Sequence, residues 1–348
     1  MTDTLLHAYV PLIVWTSLGL ILVQFLPDSF PRLLGRSLYW VGVPVQIFTL
    51  ARQTAFDRDA ALVPAIALLG LLIGLVLASL GLWYLQRRWV LATPPPNSTG
   101  GVIPEAGAIA EPDLETAAPV VEQLPDQPWL NPARRGGFML SSILGNTGFV
   151  GLAVVPSFVA EPYRGWIVLY SVTHNLIGTY GIGVLLASFY ARSHGHNPWF
   201  KTFRDILTVP SLWAFAIGLF SRRFAFPNWL EMGFRGSLWV IIPAALLLMG
   251  IRLRQIQGWQ GLKRGIVPAL IKMLGIPMSI GLITGALHLP ADPRLALVLM
   301  AGMPTAFAGL ILSEEYELER ELIASSIVIS TLMLFLTIPL WILLWGVP

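Results

Sequence analysis

The residues able to do chemistry in this chain are few, and they are polar groups set inside long apolar runs. Asn146, Thr147 and Gly148 stand in Gly145-Asn146-Thr147-Gly148-Phe149-Val150-Gly151. Pro304 and Thr305 stand in Gly302-Met303-Pro304-Thr305-Ala306. His174 and Asn175 form a third polar pair. Amides, a hydroxyl and backbone freed by glycine or proline bind a ligand reversibly; they do not break bonds. The chain has no cysteine, so disulfides, thiolate chemistry and cysteine metal sites are excluded. No phosphate-cradling glycine loop, no HExxH pair and no hydroxyl nucleophile beside a base occurs, so no enzyme, cofactor site or metal site is expected. Each candidate also has a plainer reading. Asn146 and Thr147 could satisfy backbone in a packed bundle, His174 could be a neutral core histidine, and Thr305 could bond back to its own helix.

The elements that must hold these groups are membrane spans. Of 348 residues, 55% are hydrophobic and 12% charged, and the mean hydropathy is +0.70. A soluble domain carries about a quarter charged residues. A soluble enzyme, a nucleic-acid binder and a disordered chain are thereby excluded. The pI near 9.3 reflects a net charge of only +3, as expected from membrane topology rather than a polyanionic partner.

A bilayer core of ~30 Å takes about 20 apolar residues as a helix. Spans are expected at 8–26, 33–51, 60–84, 137–159, 165–190, 205–221, 229–251, 264–287, 295–313 and 322–346. The first lacks the basic start and small-residue cleavage site of a signal peptide. Residues 93–132 break the pattern. They are rich in Pro and Ala, carry Glu105, Glu111, Asp113, Glu115, Glu122 and Asp126, and have no Lys or Arg, so they read as a disordered acidic insert. Asn97-Ser98-Thr99 within it matches a glycosylation sequon.

Loop charge sets orientation. Loops after odd-numbered spans hold Arg32, Arg36, Arg87, Arg88, Arg134, Arg135, Arg192, Lys201, Arg204, Arg252, Arg254, Lys263, Arg264 and Arg320. The other side holds Arg52, Arg58, Arg164, Arg222, Arg223 and Arg294. Both termini should therefore face outward from an inner (plasma) membrane, with the insert in the cytosol.

The chain also repeats itself. Val10-Pro11 with Gly19-Leu20 recurs as Val209-Pro210 with Gly218-Leu219, and Trp40-Val41 with Pro44 recurs as Trp239-Val240 with Pro243, all at one offset of 199 residues. Five spans per half put the halves in opposite orientations, the sequence mark of secondary transporters. The expected division is 1–91 (helices 1–3), 92–135 (insert), 136–192 (helices 4–5), 193–204 (cytosolic loop) and 205–348 (helices 6–10). In such folds the site lies at the midplane, where interrupted helices meet. Helix 4 has its three glycines and helix 9 has Pro304, which breaks the carbonyl ladder. Gln46, beside Pro44, is expected to satisfy the carbonyls of a kink. Gly70/Gly74 and Gly281/Gly285 fit small-residue helix packing. His194 and His196 read as solvated loop residues.

At these residues the chain resembles the auxin efflux carrier family of permeases. The run 145–151 with Tyr170 and Asn175 is similar to that family's fourth and fifth helices. Met303-Pro304 through Leu310, then Glu321 through Thr331, is similar to its ninth and tenth. Ile242-Pro243-Ala244-Ala245-Leu246 with Gly250 and Leu253 is similar to its seventh. The resemblance implies an all-α polytopic membrane protein of ten helices in two inverted five-helix repeats, related to the bile-acid and sodium–proton transporter architecture. It implies a scaffold of helices 1, 2, 6 and 7, a moving transport domain, and a site where helices 4 and 9 cross. Plant members export an organic acid, and bacterial members are linked to small carboxylates. Two positions depart from the family: Ala153 stands where proline is usual, with Pro156 a turn later, and Ala308 stands where asparagine is usual.

The reading is a secondary transporter exporting a small organic anion by elevator-like alternating access. Asn146, Thr147, Gly148, Pro304, Thr305, His174 and Asn175 are its expected substrate-binding residues. Its other partner is the lipid bilayer, and the scaffold helices offer the face for a homodimer. Since Asp and Glu are missing from every span interior, membrane potential is the expected driving force, with His174 the one residue able to relay protons. Two alternatives stand beside it: a sodium-coupled organic-anion symporter of the bile-acid type, and a non-transporting sensor or scaffold using the insert as a partner-binding tail.

Overall fold

The computed structural model describes residues 2–27, 29–53, 59–92, 129–191, 210–254 and 262–346. The acidic insert up to residue 128, the sequon, His194, His196, Lys201 and Arg204 lie outside the described residues. Among the described residues the secondary structure is helical, apart from one isolated β-bridge.

The helices are α1 (Thr2–Leu22) and α2, which runs from Phe30–Ser37 through a π turn at Leu38–Gly42 into Val43–Gln53. Next come α3 (Leu62–Ala92), α4a (Pro132–Ile143), α4b (Thr147–Ser157) and α5 (Glu161–Tyr190). The second half holds α6 (Pro210–Ser221), α7 (Asn228–Arg254), α8 (Leu262–Ala286), α9a (Ala291–Ala301), α9b (Ala308–Glu315) and α10 (Arg320–Trp345). Five of these helices, among the described residues, are long and apolar enough to cross a membrane: α3, α5, α7, α8 and α10. The described residues are thus those of a helical, multi-pass membrane protein. Its outer surface fits lipid: Trp239, Phe189, Leu336 and Phe25 are among the large apolar side chains left more than 70% exposed, which water would not tolerate in such number.

Local sequence explains the ends. Asn131 accepts from the Ala133 N–H at 3.0 Å and Pro132 occupies the first turn, a capped helix start that places Pro132 and the three residues after it in α4a. Pro44 was expected to leave carbonyls for Gln46. Instead the backbone register is taken up by the π turn before it, where Val43 N–H reaches the Leu38 carbonyl, and Gln46 Nε2 is buried with no hydrogen-bond partner among the described residues.

Packing sorts the helices into two groups. In the first, α1 lies on α7 and α6 lies on α2, with α2 also against α7. Two glycine crossings allow this. A Cβ on Gly250 would collide with the Thr16 carbonyl of α1, and one on Gly19 would collide with the Leu247 carbonyl and lie 3.1 Å from the Gly250 Cα. At the α6–α2 crossing, a Cβ on Gly218 would lie 3.0 Å from the Phe48 carbonyl oxygen and 3.1 Å from the Ala51 Cβ. One end of this group is clamped by Arg52, whose side chain reaches Glu231 of α7 at 2.8 Å, the Ser221 carbonyl of α6 and the Phe224 carbonyl at 2.6 Å.

The second group holds α3, α4, α5, α8, α9 and α10, with α8 on α10, α9a on α8 and α5, and α4a on α3 and α10. Gly70 and Gly74 do pack closely here, a Cβ on them falling 3.3 Å from the Tyr170 hydroxyl and 3.0 Å from Ile276. Arg134 of α4a and Arg264 of α8 both bind Glu319 at the head of α10, so one carboxylate braces three helices. The groups meet where α2 packs on α5 and α7 packs on α4b.

Candidate functional site

Helices α4 and α9 are each interrupted near mid-length, and the breaks touch. Gly145 and Thr305 form an antiparallel β-bridge. Asn146 N–H donates to the Pro304 carbonyl at 2.7 Å, and Ala306 N–H donates to the Leu144 carbonyl at 2.9 Å. Each break therefore satisfies the other's exposed backbone. That is the condition for non-helical chain at membrane depth.

Three of the four helix ends created by the breaks are also bonded by side chains. Asn146 Oδ1 accepts from Phe149 and Val150 N–H at 3.2 and 3.4 Å, capping the start of α4b. At the end of α4a, whose last carbonyls have no helical partner, the Thr305 hydroxyl donates to the Ser141 carbonyl at 3.0 Å. Thr305 thus bonds across to α4a and not back to its own helix. At the end of α9a, Lys272 Nζ donates to the Ala301 carbonyl at 2.7 Å. The bridge strands are held from outside as well: Gly145 N–H donates to His174 Nε2 at 3.0 Å, and Thr305 N–H donates to Ser330 Oγ at 3.0 Å. A backbone donor at Nε2 requires that nitrogen to be unprotonated, so His174 is the neutral tautomer with its proton on Nδ1. Nδ1 is buried with no partner among the described residues.

The expected site residues therefore converge on one place but divide by exposure. Asn146, Thr147, Gly148, His174, Pro304 and Thr305 are buried, whereas Asn175 is half-buried. Asn175 Nδ2 lies 3.2 Å from Thr147 Oγ1, 2.8 Å from the Ser171 carbonyl and 3.3 Å from Ser171 Oγ. Thr147 accepts there, leaving its own hydroxyl hydrogen to donate. Beside them in sequence Phe149 is half-buried and packs against the cluster of Leu38, Ile241, Ala245 and Leu248 in the first helix group. The Asn175–Thr147 pair thus lies at the α4b segment that packs on α7 of the first group. The start of α4b adds the positive end of a helix dipole, a setting that favours an anion, although its Thr147, Phe149 and Val150 N–H groups are already bonded to Gly145 and Asn146. Among the described residues no cluster of three or more metal-binding side chains occurs.

Sequence reasoning passed over Lys272, the most deeply placed charge-bearing side chain at the crossover. It is 1% exposed and sits in a π segment, Ile271–Gly275, inside α8. The signal was available: it is one lysine in the middle of an apolar run, and ionisable residues inside spans are functional candidates by default. His174 is consequently not the only ionisable group at depth. Ser141 and Ser330 were also missed, because their part depends on which helices cross.

A family model described as membrane transport protein matches residues 130–342, which include both breaks, Asn175 and Lys272. The chain belongs to that family, the one that includes the auxin efflux carriers. An uncharacterized transporter of Methanocaldococcus jannaschii is 24% identical over 217 residues, covering 61% of this chain and 69% of that protein. A second, from Methanothermobacter thermautotrophicus, is 24% identical over 217 residues, covering 61% and 68%. Members of such a family move a solute across a membrane, and the crossover is where this chain gathers its polar groups at depth. A transporter is the function that the family supports.

Proposed function

We propose that this protein is a secondary transporter that exports a small organic anion by elevator-like alternating access. The observation that carries the reading is the crossover. The two broken helices brace each other, and beside them Thr147 and Gly148 at the start of α4b meet Asn175 of α5, next to the seam between two separately packed helix groups. In this reading α1, α2, α6 and α7 are the fixed scaffold, and α3, α4, α5, α8, α9 and α10 move as one body carrying the site. Asn146, Pro304, Thr305 and His174 shape the site by holding the breaks, and Thr147, Gly148 and Asn175 meet the substrate.

Two inverted five-helix repeats are part of the proposal, with 1–91 and 136–192 as the first and 205–348 as the second. Their support is internal. Gly19 crosses α7 at Leu247 and Gly250, and Gly218 crosses α2 at Phe48 and Ala51; each of these positions matches its counterpart at the offset of 199. At the β-bridge, Gly145 pairs with Thr305, an offset of 160. The difference of 39 is close to the length of the 93–132 insert. Anion selectivity rests on the α4b N-terminus and on the absence of Asp and Glu from the helix interiors.

Purified full-length protein screened by thermal shift against small carboxylates tests the reading. At least one mono- or dicarboxylate should raise the melting temperature, and Thr147→Val with Asn175→Ala should lose that rise while melting unliganded like wild type. A panel in which no carboxylate stabilises the protein, or a double variant that keeps the rise, overturns it. Orientation is tested separately. With no native cysteine as background, Glu161→Cys should react with an impermeant thiol reagent outside intact cells and Glu317→Cys should not; the reverse pattern inverts the proposed topology.

A further inference from the structure

Lys272 is the buried group that the proposed site does not use. Its ammonium nitrogen donates to Ala301 at the C-terminal end of α9a, where the helix dipole is negative and favours a cation. Its side chain fills the space that a Cβ on Gly145 would need, Cε and Nζ lying 2.7 and 2.8 Å from that point. The residue is therefore wedged directly under the β-bridge, in α8 of the second helix group.

Among the described residues no carboxylate pairs with Lys272. Ion pairs among the described residues include Arg52–Glu231, Arg134–Glu319, Arg164–Glu161, Arg264–Glu319 and Arg320–Glu314, and these lie at helix ends. Lys272 is 11 residues into the 25-residue α8, near the middle of the span. Protonated, Lys272 places a positive charge at mid-depth in the helix group proposed to move, and that charge crosses part of the membrane field whenever the group moves.

We propose that Lys272 is the resident charge of this transporter. It travels with the second helix group, so that reorientation of the empty carrier displaces positive charge, whereas a bound monoanion cancels it in the loaded step. The cycle as a whole still moves the anion's charge, but voltage acts on the return of the empty carrier. This inference rests on the moving-group reading above and extends it.

The test needs no substrate. Full-length protein in a voltage-clamped cell membrane, bathed in chloride salts without carboxylates, should give a saturating transient charge displacement after a voltage step. One lysine limits that displacement to about one elementary charge per carrier. Lys272→Met and Lys272→Gln should abolish it at equal surface density, and Lys272→Arg should keep it. A merely structural role for Lys272 predicts no such dependence on charge. The proposal is overturned by a displacement that survives in Lys272→Met or Lys272→Gln, by a wild-type value well above one charge, or by no displacement in the wild type. In that last case carboxylate flux in proteoliposomes separates the two ideas. Flux without displacement sinks only the role of Lys272, and absence of both sinks the moving carrier with it.

Discussion

Gly250→Ala is expected to destroy the pairing of α1 with α7, while Gly236→Ala in the same helix is expected to leave the protein as stable or slightly more so. The added Cβ at position 250 meets backbone, the Thr16 carbonyl, which has no rotamer to move out of the way. At position 236 nothing lies within 4 Å. Overpacking costs about 1–3 kcal/mol where side chains can give; here the helix itself must shift, so at least ~3 kcal/mol is expected. The exposed Gly236→Ala change should gain up to ~1 kcal/mol from helix propensity. Melting in detergent and the monodisperse fraction on size exclusion check both. Equal melting of the two variants would mean that α1 and α7 do not cross at Gly19 and Gly250.

That crossing shows what kind of information the sequence held. Gly19 and Gly218 stood out by repeating at a fixed offset, and both lie where helices cross. The breaks were legible for a similar local reason, since three glycines in α4 and Pro304 in α9 cannot sustain a regular span. What joins the breaks was not legible. The bridge between Gly145 and Thr305 links segments 160 residues apart, and no local pattern announces it. Roles therefore shifted once the crossing was known. Asn146 caps α4b, Thr305 supplies a hydrogen to α4a, and His174 accepts one from Gly145, so each holds backbone, and Asn175 keeps partial exposure. The Gln46 expectation failed because a π turn absorbed the kink before any side chain was needed. Lys272 was readable as an anomaly, but its partner, the Ala301 carbonyl, exists only because α9 breaks beside it.

The same crossing bears on energetics, and membrane potential alone is expected to drive anion flux in proteoliposomes. Among the described residues the helix interiors carry no Asp or Glu to hold a coupling cation. His174 Nε2 is committed to Gly145 N–H at 3.0 Å, so it is occupied as a brace. The remaining force is the field acting on transported charge. One elementary charge moved through 100 mV is worth ~2.3 kcal/mol, roughly a fiftyfold concentration ratio at 25 °C. With the inside negative, that force pushes a monoanion outward. Vesicles loaded with a carboxylate identified by thermal shift, and given an inside-negative potassium diffusion potential, should lose it without any sodium or pH gradient. Reversing the potential should drive accumulation of comparable size. His174→Gln retains an acceptor for Gly145 and should preserve the flux, whereas His174→Leu strands that N–H at a cost of ~1–3 kcal/mol and should lower stability. Flux that appears only with a sodium gradient would favour a sodium-coupled symporter. Flux that needs a pH step and vanishes in His174→Gln would make the histidine a proton carrier, and the tautomer assigned from its hydrogen bond would then describe only one state of the cycle.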